Sequence, residues 1–571
     1  MNADGLLKYY ERIADAPDAI ARLRRFILDL AVRGKLVAQD LSDEPASELL
    51  KRIRKEKAAL VAAGQMKRAE AVVDLSASEH NLPLPHGWTV TDLQSVCLSV
   101  TDGDHLPPPK AETGIPFLVI GNVRSQRIDF AGSRFVASQY YDALDPIRRP
   151  RSGDLLYTLV GSYGIPVIVR DDQPFCVQRH IGILRPSSLI DVNFLARAME
   201  SRFAFDQATA CATGIAQKTV PLSGLRKLML PLPPLAEQHR IVAKVDELMA
   251  LCDRLEAARG SREATRDRLT AASLARLNVP DPATFHDHAR FALDALPALT
   301  TRPDQIKHLR QTILNLAVRG KLVPQAPNDE PASELLRRIA KEKGRSRHPV
   351  VAIDPEGEPY TLPDTWKWAA LDQLIISGPQ NGISPKPTNR DDAPKAITLT
   401  ATTSGVFNPI HFKHVEAKIP TDSEFWLKNG DLLFQRGNTR EYVGMAAVYQ
   451  GPPNTFLFPD LIIKVRISVN LSTRFAHMAA ISPPARAFLS ANASGAQATM
   501  PKINQTTLIS LPMPIPPLAE QHRIVAKVDA LMALCDRLEA SLTATAATRR
   551  RLLDALLAEA LAPTQSRQEA A

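Results

Sequence analysis

Cysteine is scarce in this chain, with five residues in 571: Cys97, Cys176, Cys211, Cys252 and Cys535. They are odd in number, scattered, and form no Cys-x-x-Cys pair, which argues against both a disulfide framework and a cysteine zinc site. No apolar run approaches the roughly 18 residues that a membrane span requires. The opening MNADGLLKYYERIADA lacks a basic segment followed by an apolar one, so no secretory signal is expected and a reducing cytoplasm is the expected compartment.

Catalytic signatures are missing too. VRGKL (Val32–Leu36, again Val318–Leu322) looks like the end of a phosphate loop, but the upstream glycine is absent and leucine replaces Ser/Thr. There is no G-x-G-x-x-G after a strand, no H-E-x-x-H, and no Asn/Asp-Pro-Pro-aromatic box of the kind amino-methyltransferases use. FPDLIIKVR (Phe458–Arg466) holds Asp460 and Lys464 without the Glu-x-Lys of a nuclease core, so Asp460 reads as a turn residue. His239 and His522 recur at one helical position without carboxylate or cysteine company, and read as polar residues near a helix start. A chain without catalysis of its own is expected, binding neither metal nor cofactor.

Repetition is what the chain has instead. Leu235–Glu256 and Leu518–Glu539 are identical except for Glu247 against Ala530. A second repeat relates Leu23–Lys57 to Leu309–Lys343. The middle of the chain holds the LAEQHR stretch followed by the LAVRGKLV block, whereas the N-terminal part holds only the block and the C-terminal part only the stretch. Joined, the two ends rebuild the middle, which predicts a circular two-fold plan with the chain ends close in space. The expected divisions are an N-terminal helical segment (1–84) completing the C-terminal one, a variable domain (85–234), a central helical region (235–362), a second variable domain (363–517) and a C-terminal helix (518–571). The variable domains share only a frame: LPHGW against LPDTW, GDLLY against GDLLF, and a proline-rich exit before LAEQ.

Apolar spacing gives the coarse structure. Ile241, Val245, Leu248, Cys252 and Leu255 step by four, three, four and three, a coiled-coil seam repeated by Ile524, Val528, Leu531, Cys535 and Leu538. Glu237 suits the positive end of the first helix. About 40 residues at about 1.5 Å each predict a rod of roughly 60 Å. Two such rods are expected to pack antiparallel on each other. Gly34 and Gly320 read as helix stops, and SDEPASELL and NDEPASELL as capped helix starts with proline in the first turn. The variable stretches, with IPFLVIGNV, DLLYTLV, DLLFQRG and LIIKVRI, read as mixed α/β domains of short strands.

Net charge is +9, which permits a polyanionic partner without locating it. Residues 85–235 hold 15 Lys+Arg against 13 Asp+Glu, and residues 362–518 hold 14 against 10.

PLPPLAEQHRIVAKVDELMALCDRLE with its second copy, LAVRGKLV twice, and GDLL in each variable domain make the chain resemble the specificity subunit of type I restriction–modification systems. The resemblance covers nearly the whole chain. It implies an α+β architecture in which two target-recognition domains are separated by two conserved helices forming an antiparallel coiled coil. Each recognition domain would read one half of a split, asymmetric site in double-stranded DNA, the helices acting as a ruler. Two methyltransferase subunits and restriction–translocation subunits would be the protein partners, carrying S-adenosylmethionine, ATP and Mg. A prokaryotic cytoplasm, in association with the nucleoid, is the implied location.

Base and phosphate contacts favour Arg, Lys, Asn, Gln and polar loops. In the first domain the candidates are His105, Lys110, Asn122, Arg124, Ser162, Tyr163, Gln178, Arg179, His180, Gln217 and Lys218. In the second they are Lys386, Asn389, Arg390, Gln435, Arg436, Asn438, Arg440, Lys502 and Asn504. Arg179 and Arg436 lead, because each borders a strand-like run that could hold it rigidly. The rival readings are a coiled-coil scaffold whose variable domains bind proteins, and a self-sufficient enzyme, which the missing motifs disfavour.

Overall fold

The first repeat block, rich in alanine, leucine and long charged side chains, folds as helices α1 (Ala19–Val32) and α2 (Ala46–Ala62). Past the end of α1, Gly34 takes φ +63°, and a Cβ on it would stand 2.2 Å from Pro85 Cγ. Only glycine meets both demands. Pro45 precedes α2 rather than lying in its first turn, and the Ala46 N–H donates to Gly87 O at 2.8 Å. The structure is a computed structural model and describes residues 15–66, 84–105, 108–124, 127–214, 217–281, 283–343, 353, 358–495 and 500–561. The extreme N-terminal residues of the signal reading, and the chain ends themselves, lie outside these. Among the described residues no helix is long and apolar enough to cross a membrane.

Two units emerge, Met1–Arg262 with Ala546–Ala571, and Glu263–Thr545. Both dividing lines, 262/263 and 545/546, fall inside long helices.

In unit 1 the strands of the two larger sheets and of the inlet–outlet pair are β1 (Thr89–Asp92), β2 (Cys97–Asp102), β3 (Ile115–Leu118), β4 (Arg134–Val136), β5 (Leu155–Thr158), β6 (Pro166–Ile168), β7 (Cys176–Val177), β8 (Ile181–Pro186) and β9 (Met229–Leu232). Helices α3 (Val192–Glu200) and α4 (Arg202–Cys211) follow β8, and α5 (Leu235–Asn278) follows β9. An antiparallel sheet runs β2-β8-β5-β6, and a smaller one runs β4-β3-β7 with β3 and β7 parallel. β1 pairs antiparallel with β9, Thr89 opposite Leu232 and Asp92 opposite Met229, so the domain's inlet and outlet are zipped together. Alternation along β5 sends Leu155 and Tyr157 into a core shared with α1, α2 and α3, and Leu156 into a second core with Leu118, Phe175 and Ile183. Each such fully buried side chain contributes about 1.5–3 kcal/mol.

Unit 2 begins its own segments with α6 (Phe285–Asp294), α7 (Pro303–Val318) and α8 (Ala332–Lys343). Its strands are β10 (Lys367–Ala370), β11 (Ile375–Asn381), β12 (Lys395–Ile397), β13 (Phe412–His414), β14 (Leu432–Gln435), β15 (Ala446–Val448), β16 (Phe456–Leu457), β17 (Ile462–Ile467) and β18 (Pro512–Ile515), with α9 (Thr473–Ile481), α10 (Pro483–Ala491) and α11 (Leu518–Leu561). The main sheet order is β11-β17-β14-β15 and the small one β13-β12-β16, the same two sheets as in unit 1, which among the described residues adds a short hairpin of Val123–Arg124 with Arg127–Ile128. β10 pairs with β18, Lys367 opposite Ile515. The shared GDLL frame opens each middle strand. Gly153 and Gly430 turn with φ +88° and +89°. The buried carboxylates of Asp154 and Asp431 then take up Arg185, at 2.8 Å, and Arg466.

α5 and α11 each span 44 residues, about 66 Å at 1.5 Å per residue. Their seams are covered in a way that periodicity did not foresee. Ile241, Val245 and Cys252 lie in the cluster that holds Ile27, Leu28 and Ala31 of α1, and Ile524, Val528 and Cys535 in the one that holds Ile306 and Ile313 of α7. Leu248, Leu255, Leu531 and Leu538 are half-buried. An apolar stripe only requires an apolar cover, and the repeat block supplies it. In unit 1, α1 runs antiparallel to α5, with Arg24 bonding Asp253 at 2.8 Å and Glu256 at 2.7 Å, and Asp15 meeting Arg262 at 2.9 Å. α1 runs along the end of α11, through Arg22 with Asp554, Lys35 with Leu561 O at 3.1 Å, and Ala16 and Ala19 against Leu553 and Leu556. Arg310 repeats the Arg24 role in unit 2, on Asp536 at 2.6 Å and Glu539 at 2.8 Å.

Candidate nucleic-acid interface

Each variable domain gathers its candidate residues into two groups. In the first domain, Gly161 N donates to Lys218 O at 3.0 Å and Val160 bridges Thr219, which brings Ser162 and Tyr163 beside Gln217 and Lys218. Ser162, Gln217 and Lys218 are exposed. Tyr163 is tied down, its ring stacked on Phe205 at 5.5 Å and its hydroxyl 3.0 Å from Thr209 Oγ1. The second group surrounds a cavity of about 380 Å³ whose lining includes Asp104, His105, Lys110, Arg134, Gln178 and Arg179. His105 Nε2 lies 3.0 and 3.1 Å from the two oxygens of Asp102. The Tyr140 hydroxyl donates to Asp104 at 2.6 Å, and burial, then that carboxylate, push its pKa up. Arg179 is exposed, its Nε 3.4 Å from His180 Nε2, while burial and then Arg179 hold His180 below the usual imidazole range.

In the second domain the same two groups recur on different residues. Ile503 N donates to Arg436 O at 2.8 Å and Gly437 bridges Lys502, which sets Arg436 and Asn438 beside Lys502, and Arg440 is exposed further along the same loop. Lys386, Asn389 and Arg390 form the other group, all exposed, with Arg390 bonding Asp392 at 2.7 Å. The bridge Asp104–Gln178 in the first domain has its counterpart in Ile383–Pro459. Arg179 therefore stands where the second domain has Asp460, an inversion of charge that sequence comparison did not align.

Several candidates prove to be engaged in the fold. Asn122 is buried, its Oδ1 accepting from Val119 N at 2.9 Å and its Nδ2 donating to Asp129 O at 2.8 Å. Gln435 is fully buried, donating to Leu399 O and Thr402 Oγ1 at 2.9 Å and accepting from Asn438 Nδ2 at 2.7 Å. Asn504 caps a short helix, Oδ1 accepting from Thr507 N at 2.6 Å. Arg124 lies 3.5 Å from Asp129. Asp460 is more than a turn residue, since Arg436 Nη1 contacts both its oxygens at 2.9 Å.

The family described as "Type I restriction modification DNA specificity domain" matches residues 87–263 and again residues 363–546. The chain belongs to that family. The EcoEI specificity subunit of Escherichia coli, a type I restriction enzyme subunit, is 30% identical over 574 residues, covering 95% of this chain and 94% of its own length. The EcoAI specificity subunit of Escherichia coli is 30% identical over 570 residues, covering 94% and 93%. A solved chain from a study of type I R-M assembly aligns over 84% of this chain and 98% of its own at 20% identity, with a TM-score of 0.49.

Both stretches that match the specificity family begin close to a tryptophan and run on into a long helix, and there the structure holds residues that sequence reasoning missed. Trp88 Nε1 donates to Glu237 Oε2 at 2.9 Å, and Trp366 Nε1 to Glu520 Oε2 at 3.0 Å. Glu237 thus lies in the first turn of α5, as its sequence position suggested, with its carboxylate buried against an indole. Gln238 accepts from Asp191 N at 3.1 Å and donates to Pro233 O at 3.0 Å, while Gln521 repeats both bonds with Ser472 N and Pro516 O. Arg240 bonds Asp43, and Arg523 bonds Asp329, each at 2.6 Å. The co-occurrence of LPxxW with LAEQHR in both copies was the signal for this joint. His239, 3.7 Å from Asp191 Oδ2, and His522 are exposed beside it.

Proposed function

We propose that this chain is the DNA-specificity subunit of a type I restriction–modification complex, addressing adenine methylation and DNA cleavage that partner subunits perform. The observation that carries the reading is one domain plan built twice on helices whose first halves are near-identical, with different residues at equivalent loop positions, Arg179 against Asp460 above all. One plan with two chemistries suits two different half-sites of an asymmetric, bipartite site. The scaffold reading has no comparable support.

In this proposal α5 and α11 pair as an antiparallel coiled coil with pseudo-two-fold symmetry. α1 supports that pairing by running against α5 and along the end of α11. Leu251 and Leu534, equivalent in the repeat, are 44% and 40% exposed. Packing within the chain does not demand an identical outer face, so two copies of one partner, the methyltransferase subunit, are expected there. That partner would hold S-adenosylmethionine and flip out the adenine. Restriction subunits would bring ATP and Mg. This chain binds double-stranded DNA through Lys, Arg and polar loops. Sequencing the methylated adenines of cells that carry this chain with its methyltransferase partner should show one two-part motif with a fixed spacer. An unpatterned or absent methylome contradicts the reading.

A further inference from the structure

The joint at the base of each recognition domain repeats four polar bonds atom for atom. One helical turn, Glu237 to Arg240, reaches the inlet through Trp88, the outlet through Pro233 O, the first turn of α3 through Asp191 N, and the loop before α2 through Asp43. In unit 2, Glu520 to Arg523 makes the four equivalent bonds. Glu237, Gln238, Glu520 and Gln521 are 0–1% exposed. Pro85 and Trp88 press on Gly34, and Pro363 and Trp366 on Gly320, so closely that a Cβ would meet proline at 2.2 and 2.6 Å. The Gln325 amide meets the second oxygen of Glu520 at 2.6 Å, a bond that the equivalent Gln39 and Glu237 do not make.

Such density of buried polar bonds is more than the attachment of a domain requires, since the shared apolar cores already attach it. Its further effect is angular. Hydrogen bonds fix direction, whereas apolar contact does not. A domain of about 150 residues has a radius of gyration of about 15 Å and is about 38 Å across. A rotation of about 5° at its base therefore carries its far side about 3.4 Å, the rise of one base pair.

We propose that Glu237 and Glu520 are positioning residues. Each holds its recognition domain at one angle on its long helix, through the indole of Trp88 or Trp366, and so sets the single spacer length the protein accepts between half-sites. The proposal rests on the two-part DNA reading above.

The test uses the full chain with its methyltransferase partner in cells, and methylome sequencing. Glu237→Ala is expected to keep both half-site sequences while methylation at sites with a spacer one base pair longer or shorter rises at least tenfold over the parent. Glu237→Gln, which keeps an acceptor for the indole, is expected to match the parent. If Glu237→Ala fails to assemble, Trp88→Phe removes the donor while keeping the ring, with the same relaxation expected. A single unrelaxed spacer in the assembled variants overturns the lock, as does a change of bases within a half-site. A parent chain that yields no two-part motif overturns the function reading itself and the lock with it.

Discussion

Buried polar side chains are where this molecule separates architecture from reading. Gln435 borders a strand, as a base-reading residue might be expected to, yet every polar atom of its side chain is used inside the domain. Gln435→Ala removes one partner from several buried groups, so it should cost about 1–3 kcal/mol of stability, read as a lower melting temperature, with the methylated motif unchanged. An altered motif with unchanged stability would contradict that assignment. Arg179 is the contrasting case. It is exposed on a cavity, so Arg179→Ala should relax one position of one half-site, measured as methylation at sites carrying any base there. Glu237 has a pH signature as well. Burial raises its pKa above the ordinary glutamate value, against the lowering effects of Trp88 and Arg240. A raised folded pKa gives stability that is complete below the unfolded value and is lost as pH rises through the folded one. Glu237→Gln, which does not titrate, should therefore gain stability relative to the parent between mildly acidic and neutral pH. Melting curves at both ends of that range check the sign.

At the scale of elements, the two glycines that end α1 and α7 are the sharpest constraint. Gly320 takes φ +67° and a Cβ there would lie 2.6 Å from Pro363. Gly320→Ala should cost about 1–3 kcal/mol through strain and displacement, visible in chemical unfolding, and an unaffected midpoint would show that the joint yields easily. Much at this scale was legible in the sequence. The helix stops at Gly34 and Gly320, the 44-residue helices and the strand-rich character of the variable stretches all follow from local periodicity and turn chemistry. What covers Ile241 and Val245 did not follow, because a heptad pattern says that a stripe must be covered and not by which helix. Nor did the inward turn of Asn122, since an Asn in a loop looks the same whether it faces solvent or closes a turn. The pairing of Trp88 with Glu237 spans 149 residues, and a single sequence shows only that both recur.

Over the whole molecule, helices with near-identical first halves carry two domains of one topology whose equivalent loop positions differ in charge. Within unit 1, Arg22 and Asp554 meet across 532 residues, as a circular plan would require. The central claim is that the variable domains hold the address and the repeats hold the assembly. Replacing residues 85–234 with the corresponding domain of a relative, and sequencing genomic methylation with the same methyltransferase partner, tests it most directly. The account predicts a two-part motif in which one half changes to the relative's, while the other half and the spacer stay as they were. A motif unchanged by the exchange would contradict it.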